Sequence, residues 1–132
     1  NYLLEVISSL KERVRSLSEL KSLSSFYFED PDTYEEKASR KRWKDESVNQ
    51  SVAAYLSSLE GIHDWSEDKL ELALRQTAEK LDLSSGKLIH PVRLALTGIG
   101  FGPSLFELMQ ILGKDTCIRR LKIALEKLPQ NI

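Results

Sequence analysis

The chain predicts an all-α, multihelical protein built as two small helical bundles, and three observations lead there. Apolar residues recur at three- and four-residue spacing through nearly the whole sequence. No segment alternates at period two, and no Asn-Gly or Asp-Gly pair signals a hairpin. Polar capping residues precede the apolar runs, and Gly or Pro follows them.

In the first run, Tyr2, Leu3, Val6, Ile7, Leu10 and Val14 form one apolar stripe opposite Lys11, Glu12, Arg13 and Arg15. The spacing Ser16 to Glu19 fits a capping box, so a second helix is expected from Leu17 through Phe26, Tyr27 and Phe28 until Asp30-Pro31 ends it. A second box, Thr33 to Glu36, opens a short polar helix leading to Arg40, Lys41, Arg42, Trp43 and Lys44. A third, Ser47 to Gln50, opens a helix that carries Val52, Tyr55, Leu56 and Leu59 and stops at Gly61. Ser66 caps the next, which runs through Leu70, Leu72, Leu74, Thr77, Ala78 and Leu81 to Leu83. After Ser84-Ser85-Gly86, Leu88, Ile89, Val92, Leu94 and Leu96 make a helix interrupted early by Pro91. Gly102 as cap and Pro103 as first residue start another, with Leu105, Phe106, Met109, Ile111 and Leu112, closed by Gly113. The last begins at Asp115 or its neighbour, turns Ile118, Leu121, Leu125 and Leu128 inward, and ends at Pro129. The polar stretch between Asp30 and Gln50 divides the chain into an N-terminal lobe, 1–45, and a C-terminal lobe, 46–132.

Composition restricts the function. With 19 basic and 20 acidic residues the net charge is −1, so a polyanionic partner must be held by a local patch. No apolar run approaches the roughly 20 residues of a membrane span and no export leader is visible, so a cytoplasmic protein is expected. The single cysteine, Cys117, lies among helical apolar positions and reads as a buried core thiol. His63 and His90 lack the cysteines or paired carboxylates of a metal site and read as caps or packing residues; no metal is expected. The glycines at 98, 100 and 102 follow a helix rather than a strand and lack a P-loop's Lys-Ser/Thr end. Nothing here predicts catalysis by this chain unaided. The basic run 40–44 reads either as a solvated face with Trp43 anchored in the core or as a phosphate-contacting patch.

The stretch from His90 to Lys114 is the most informative. Rich in Gly and Pro between two apolar helices, it presents backbone amides and carbonyls to whatever approaches. Its run His90-Pro-Val-Arg-Leu-Ala-Leu-Thr-Gly98, followed by Gly102-Pro-Ser-Leu-Phe106, Leu112-Gly-Lys114 and Arg119-Arg-Leu-Lys-Ile-Ala-Leu125, resembles the C-terminal end of bacterial glutamyl-tRNA synthetases. Lys11-Glu-Arg-Val-Arg-Ser-Leu17 and Phe26-Tyr-Phe-Glu-Asp30 resemble that family in the same order and spacing, so the likeness covers nearly the whole chain.

The resemblance implies an anticodon-binding region of two helical subdomains that selects the glutamate tRNA. The family's catalytic part, which uses ATP and magnesium to join glutamate to that tRNA, has signature motifs that do not occur here; no cofactor is expected in this domain. The implied partners are the anticodon loop of the glutamate tRNA and the catalytic domain of the same parent, with a monomer expected. Carried over by position, the anticodon readers are Arg93, Gly102, Pro103 and Leu105 together with Arg13, and Arg15 is the alternative to Arg13. Gly102 departs from the family's hydroxyl residue and has only its backbone to offer. Candidate phosphate contacts are Arg15, Arg40, Lys41, Arg42, Lys44, Lys114 and Arg119. Against these stand plainer roles: Arg93 and Arg13 as salt-bridge partners, Pro103 as a helix start, Leu105 as core. A helical protein-interaction module and a catalytic helper are the other classes weighed.

Overall fold

In a computed structural model, residues 2, 5, 30, 31, 34–43, 45–99 and 104–128 are described, and among them are six principal helices and no strand. They are α1 (Glu36–Arg42), α2 (Glu46–Glu60), α3 (Glu67–Lys80), α4 (Gly86–Thr97), α5 (Leu105–Leu112) and α6 (Lys114–Lys127). Tyr2 and Glu5 are also helical. The remaining readings of the first lobe, and the stops at Pro129 and at Asp30-Pro31 as a helix end, lie outside what the described residues cover.

Helix α2 is central. It packs against α3, α4 and α6, while α1 lies on α4 and α5 fills the angle between α3 and α6. The stripe that makes this possible is Val52, Tyr55, Leu56 and Leu59, all buried. Leu70 and Leu74 of α3, Leu88, Val92 and Leu96 of α4, Leu108 and Met109 of α5, and Leu121 and Ala124 of α6 complete one core. Burying each such Leu contributes roughly 1.5–3 kcal/mol. Trp43 and Ala38 join that core, as the anchoring role of Trp43 requires. Leu72 and Leu81, which the spacing assigns to the apolar run of α3, are instead exposed.

Two aromatic side chains tie their polar atoms to backbone carbonyls across the core. The Tyr55 hydroxyl donates to the Leu70 carbonyl at 3.0 Å, and burial pushes its pKa up. The Trp65 indole N–H donates to the Met109 carbonyl at 2.8 Å, fixing the α2–α3 connection against the end of α5.

Four helix starts or stops differ from the capping pattern of the sequence. Helix α1 begins at Glu36 with Glu35 as N-cap, later than the Thr33 box predicts, and the Glu35 N–H donates to the Gly98 carbonyl at 2.7 Å. Asp45, not Ser47, caps α2: its carboxylate accepts from the Ser47 N–H at 2.9 Å, and negative charge is favoured at that end. Helix α3 ends at Lys80, short of Leu83. Asp82 adopts φ +56°, the Asp82 N–H reaches the Glu79 carbonyl at 3.1 Å and the Leu83 N–H reaches Ala78 at 2.9 Å, a Schellman ending in which Asp replaces the usual Gly. Helix α5 begins at Leu105 with Ser104 as N-cap, two residues beyond Pro103, because Ser104 is held at ψ 134° outside the helical range. Gly102 and Pro103 lie outside the described residues.

Elsewhere caps fall where expected, with tertiary help. Ser66 is the N-cap of α3, yet the Glu67 N–H is satisfied by the Gln110 side chain of α5 at 2.9 Å. Gly61 ends α2, and Gly113 (φ +87°, ψ 160°) both ends α5 and starts α6, a conformation open to glycine almost alone.

Candidate nucleic-acid interface

Helix α4 carries His90 and Arg93 and delivers the Thr97-Gly98 corner. Gly98 ends the helix at φ +80°, with its N–H on the Leu94 carbonyl at 2.8 Å. The Thr97 hydroxyl sits 2.9 Å from the Arg93 carbonyl and accepts from the Ile99 N–H at 3.2 Å. With the Gly98 carbonyl bound to Glu35, this corner is fastened to the start of α1. Pro91 stands inside α4, so the Lys87 carbonyl one turn earlier receives no helical N–H.

A second fastening holds the far side of α4. The buried Arg120 guanidinium donates to the Leu96 carbonyl at 2.8 Å, placing positive charge at a helix C-terminus, and to Asp30 at 2.9 Å. Arg119 takes the same carboxylate in a fork at 2.9 and 2.7 Å. Hydrogen bonds from Arg119 and then Arg120 hold the Asp30 carboxyl down at about 2, well below its ordinary value.

The candidate residues therefore separate by position. Arg93 is half-buried on α4, one turn beyond His90. Leu105 is 2% exposed and belongs to the core, so its side chain is not presented to a ligand. Lys41 and Arg42 stand at the end of α1, beside the first turns of α4. Arg40 pairs with Glu36 one turn back on an exposed face, an ion pair that contributes under about 1 kcal/mol. Lys114 lies apart: its ammonium donates to the Glu60 and Ile62 carbonyls at 3.1 and 2.6 Å, capping the end of α2. Arg119 is in the Asp30 fork. Arg13, Arg15, Lys44, Gly102 and Pro103 lie outside the described residues.

Lys41 and Arg42 open onto a cleft of about 580 Å³ between the end of α1, the first turns of α2, the α3–α4 connection and the start of α4. Lys87 and His90 line its opposite wall. Sequence reasoning assigns neither a ligand-binding role, although their i, i+3 spacing, with Arg93 a further turn on, is a readable signal. Desolvation, then Arg42, Arg93 and Lys41, lower the His90 pKa. Cys117 is buried and its thiol is pushed up to about 12, mainly by desolvation, which leaves it inert as a nucleophile at neutral pH. Among the described residues no group of His, Cys, Asp or Glu could hold a metal ion, and no helix is long and apolar enough to cross a membrane.

Fold and site together define a small all-α domain whose cationic groups gather beside one helix and the glycine corner that ends it. The chain belongs to the anticodon-binding domain family: the family model "Anticodon binding domain" matches residues 1–125. It is 39% identical to the glutamate–tRNA ligase of Chloroherpeton thalassium over 96% of this chain and 25% of that protein. It is 40% identical to the glutamate–tRNA ligase of Prosthecochloris aestuarii over the same shares of the two chains. Among solved structures, a glutamate tRNA ligase from Elizabethkingia meningosepticum in complex with its amino acid superposes with a TM-score of 0.87 at 29% identity, across 96% of this chain and 25% of that one. The glutamate-tRNA synthetase of Elizabethkingia anophelis gives 0.77 at 28% identity, across 96% and 24%. The chain thus spans about a quarter of the length of these relatives.

Proposed function

We propose that these residues form the tRNA anticodon-binding domain of a glutamyl-tRNA synthetase and select the glutamate tRNA for ATP-dependent glutamylation by a catalytic domain outside this sequence. The observation that carries this reading is the family match across 1–125, joined to relatives that share 39–40% identity over 96% of the chain and are glutamate–tRNA ligases. ATP and magnesium belong to that catalytic domain in this reading, which also makes the parent enzyme cytoplasmic and monomeric.

Selection rests on splayed-out anticodon bases, whose pairing edges are open to guanidinium forks and backbone groups. Arg93 and Arg13, or Arg15 in place of Arg13, supply donor-only forks suited to the O2 and N3 acceptors of the cytosine at the third anticodon position. The segment at Gly102, Pro103 and Leu105 supplies backbone groups. Lys41 and Arg42, with Arg40 and Lys44, take phosphates; Lys114 and Arg119 reach one only by exchanging their carbonyl and Asp30 partners. The two lobes, 1–45 and 46–132, are part of the proposal, and Trp43 with Ala38 joins the first to the core of the second.

The test is a residue-resolved NMR titration with a glutamate anticodon stem-loop and with the same loop carrying G in place of C at the third anticodon position. Shifts at Arg93, Thr97, Gly98 and Leu105 with the cognate loop, and much weaker ones with the variant, are expected. Equal shifts with both loops refute selection by this domain.

A further inference from the structure

We infer that the cleft between α1, α2 and α4 is a nucleotide subsite, holding one backbone phosphate of the bound RNA against Lys41, Arg42, Lys87 and His90 and its sugar and base against the apolar wall formed by Val48 and Leu83. This inference rests on the anticodon-binding reading and extends it to residues that the reading does not include.

Charge is the first argument. The chain as a whole carries −1, yet three permanent cations, Lys41, Arg42 and Lys87, converge on one opening. The carboxylate lining it is Asp45, and it is turned to the Ser47 N–H and hydroxyl as the cap of α2. The start of α4 has no acidic residue in its first turn and no side chain bonded across its N-cap, so its positive end is not offset. Like charges gathered in one place repel one another, and a polyanion relieves that repulsion.

The second argument is an unfilled polar atom. His90 Nδ1 is buried and has no hydrogen-bond partner, an arrangement that is unfavourable unless something else completes it. The groups facing this ring are Lys41 and Arg42 from α1, Asp45 ahead of α2, and Lys87 and Arg93 on its own helix; the α3 side contributes uncharged Leu81 and Leu83. A phosphate among them stabilises the protonated imidazole, so RNA binding takes up a proton and raises the ring's titration midpoint.

Size and continuity are the third. A volume of about 580 Å³ exceeds what a single phosphate fills and accommodates a nucleotide unit. His90 lines the cleft, and Arg93, one turn further along α4, is close enough for its charge to act on that ring, so a strand leaving the cleft along α4 heads toward the proposed reading position.

The experiment uses the full 132-residue chain, the glutamate anticodon stem-loop and, separately, uridine 5′-monophosphate. Lys87 and Lys41 are exposed, so Lys41→Gln/Lys87→Gln leaves the fold intact. The stem-loop is expected to shift the Gly86, Lys87 and Ser47 amides and to raise the His90 ring midpoint. The double variant is expected to weaken its binding at least fivefold and to flatten the log–log salt dependence by roughly 0.7–0.9, the share of the one phosphate no longer neutralised. Unchanged affinity and slope, with discrimination against G intact, overturn the cleft assignment and leave anticodon reading standing. Lost discrimination with the flattened slope retained counts against anticodon reading and leaves the cleft in place. Saturation by the mononucleotide with no cleft response to the stem-loop overturns the RNA assignment.

Discussion

Replacing Asp30 with Asn removes the charge that holds Arg119 and Arg120 while keeping an acceptor of nearly the same shape. In the folded chain the carboxyl sits at about 2, against an ordinary value of 3.8. At about 1.4 kcal/mol for each pH unit that gap is ~2.5 kcal/mol at neutral pH. The side chain is 36% exposed, so solvent screening reduces it, and about half, ~1.2 kcal/mol, is the expected loss for Asp30→Asn. With an unfolding entropy of roughly 2.1 cal/mol/K per residue, this lowers Tm by about 4 °C in a chain of 132 residues. The folded pKa is depressed, so the contribution is fully present above the unfolded value and lost as pH falls through the folded one. Urea unfolding of both proteins, followed by circular dichroism between pH 7 and pH 2, measures it. The stability difference is expected to hold steady down to about pH 5 and to be mostly gone by pH 2. A difference that stays flat from pH 5 to pH 2 refutes the ionic account of this fastening.

Four further outcomes follow from the core and the caps. Gly113→Ala is expected to lower stability by ~1–3 kcal/mol in thermal unfolding although no atom stands within 4 Å of the added methyl, because the cost is conformational at φ +87°. Gly86→Ala, equally uncrowded but in helix, serves as the control and is expected to be neutral or slightly stabilising. Tyr55→Phe is expected to cost about 1 kcal/mol by removing the bond to the Leu70 carbonyl, read from the urea midpoint at unchanged m-value. Cys117 is expected to resist a disulfide-exchange reagent at pH 8 and to react at the rate of unfolding, since the thiol is buried and held at about 12; rapid labelling of the native chain contradicts that.

Much of the architecture was legible because helices write their own pattern. The stripe from Val52 to Leu59 and the stops at Gly61 and Gly113 depend on backbone geometry within a few residues. So does the cap at Ser66. Of the boundaries that differ, two stand beside contacts distant in sequence, while the Asp45 cap and the Ser104 start are local choices among neighbouring candidates. Glu35 holds the Gly98 carbonyl at the start of α1, and Asp82 enters the left-handed region in a turn whose apolar residue, Leu83, packs on the core.

The candidate site divides the same way. The residue types suited to RNA, and the resemblance that ranks Arg93 and the glycine corner among them, are properties of the sequence. Which cations keep their charge available is decided by tertiary structure, because a guanidinium or ammonium is long enough to find partners anywhere in the fold. Arg119 turns to Asp30 and Lys114 to the end of α2, whereas Lys87 and His90 are brought opposite Lys41 and Arg42 by the packing of α1 on α4. Local spacing determined the helices and their buried faces; only the assembled helices decided which charges face one another across the cleft.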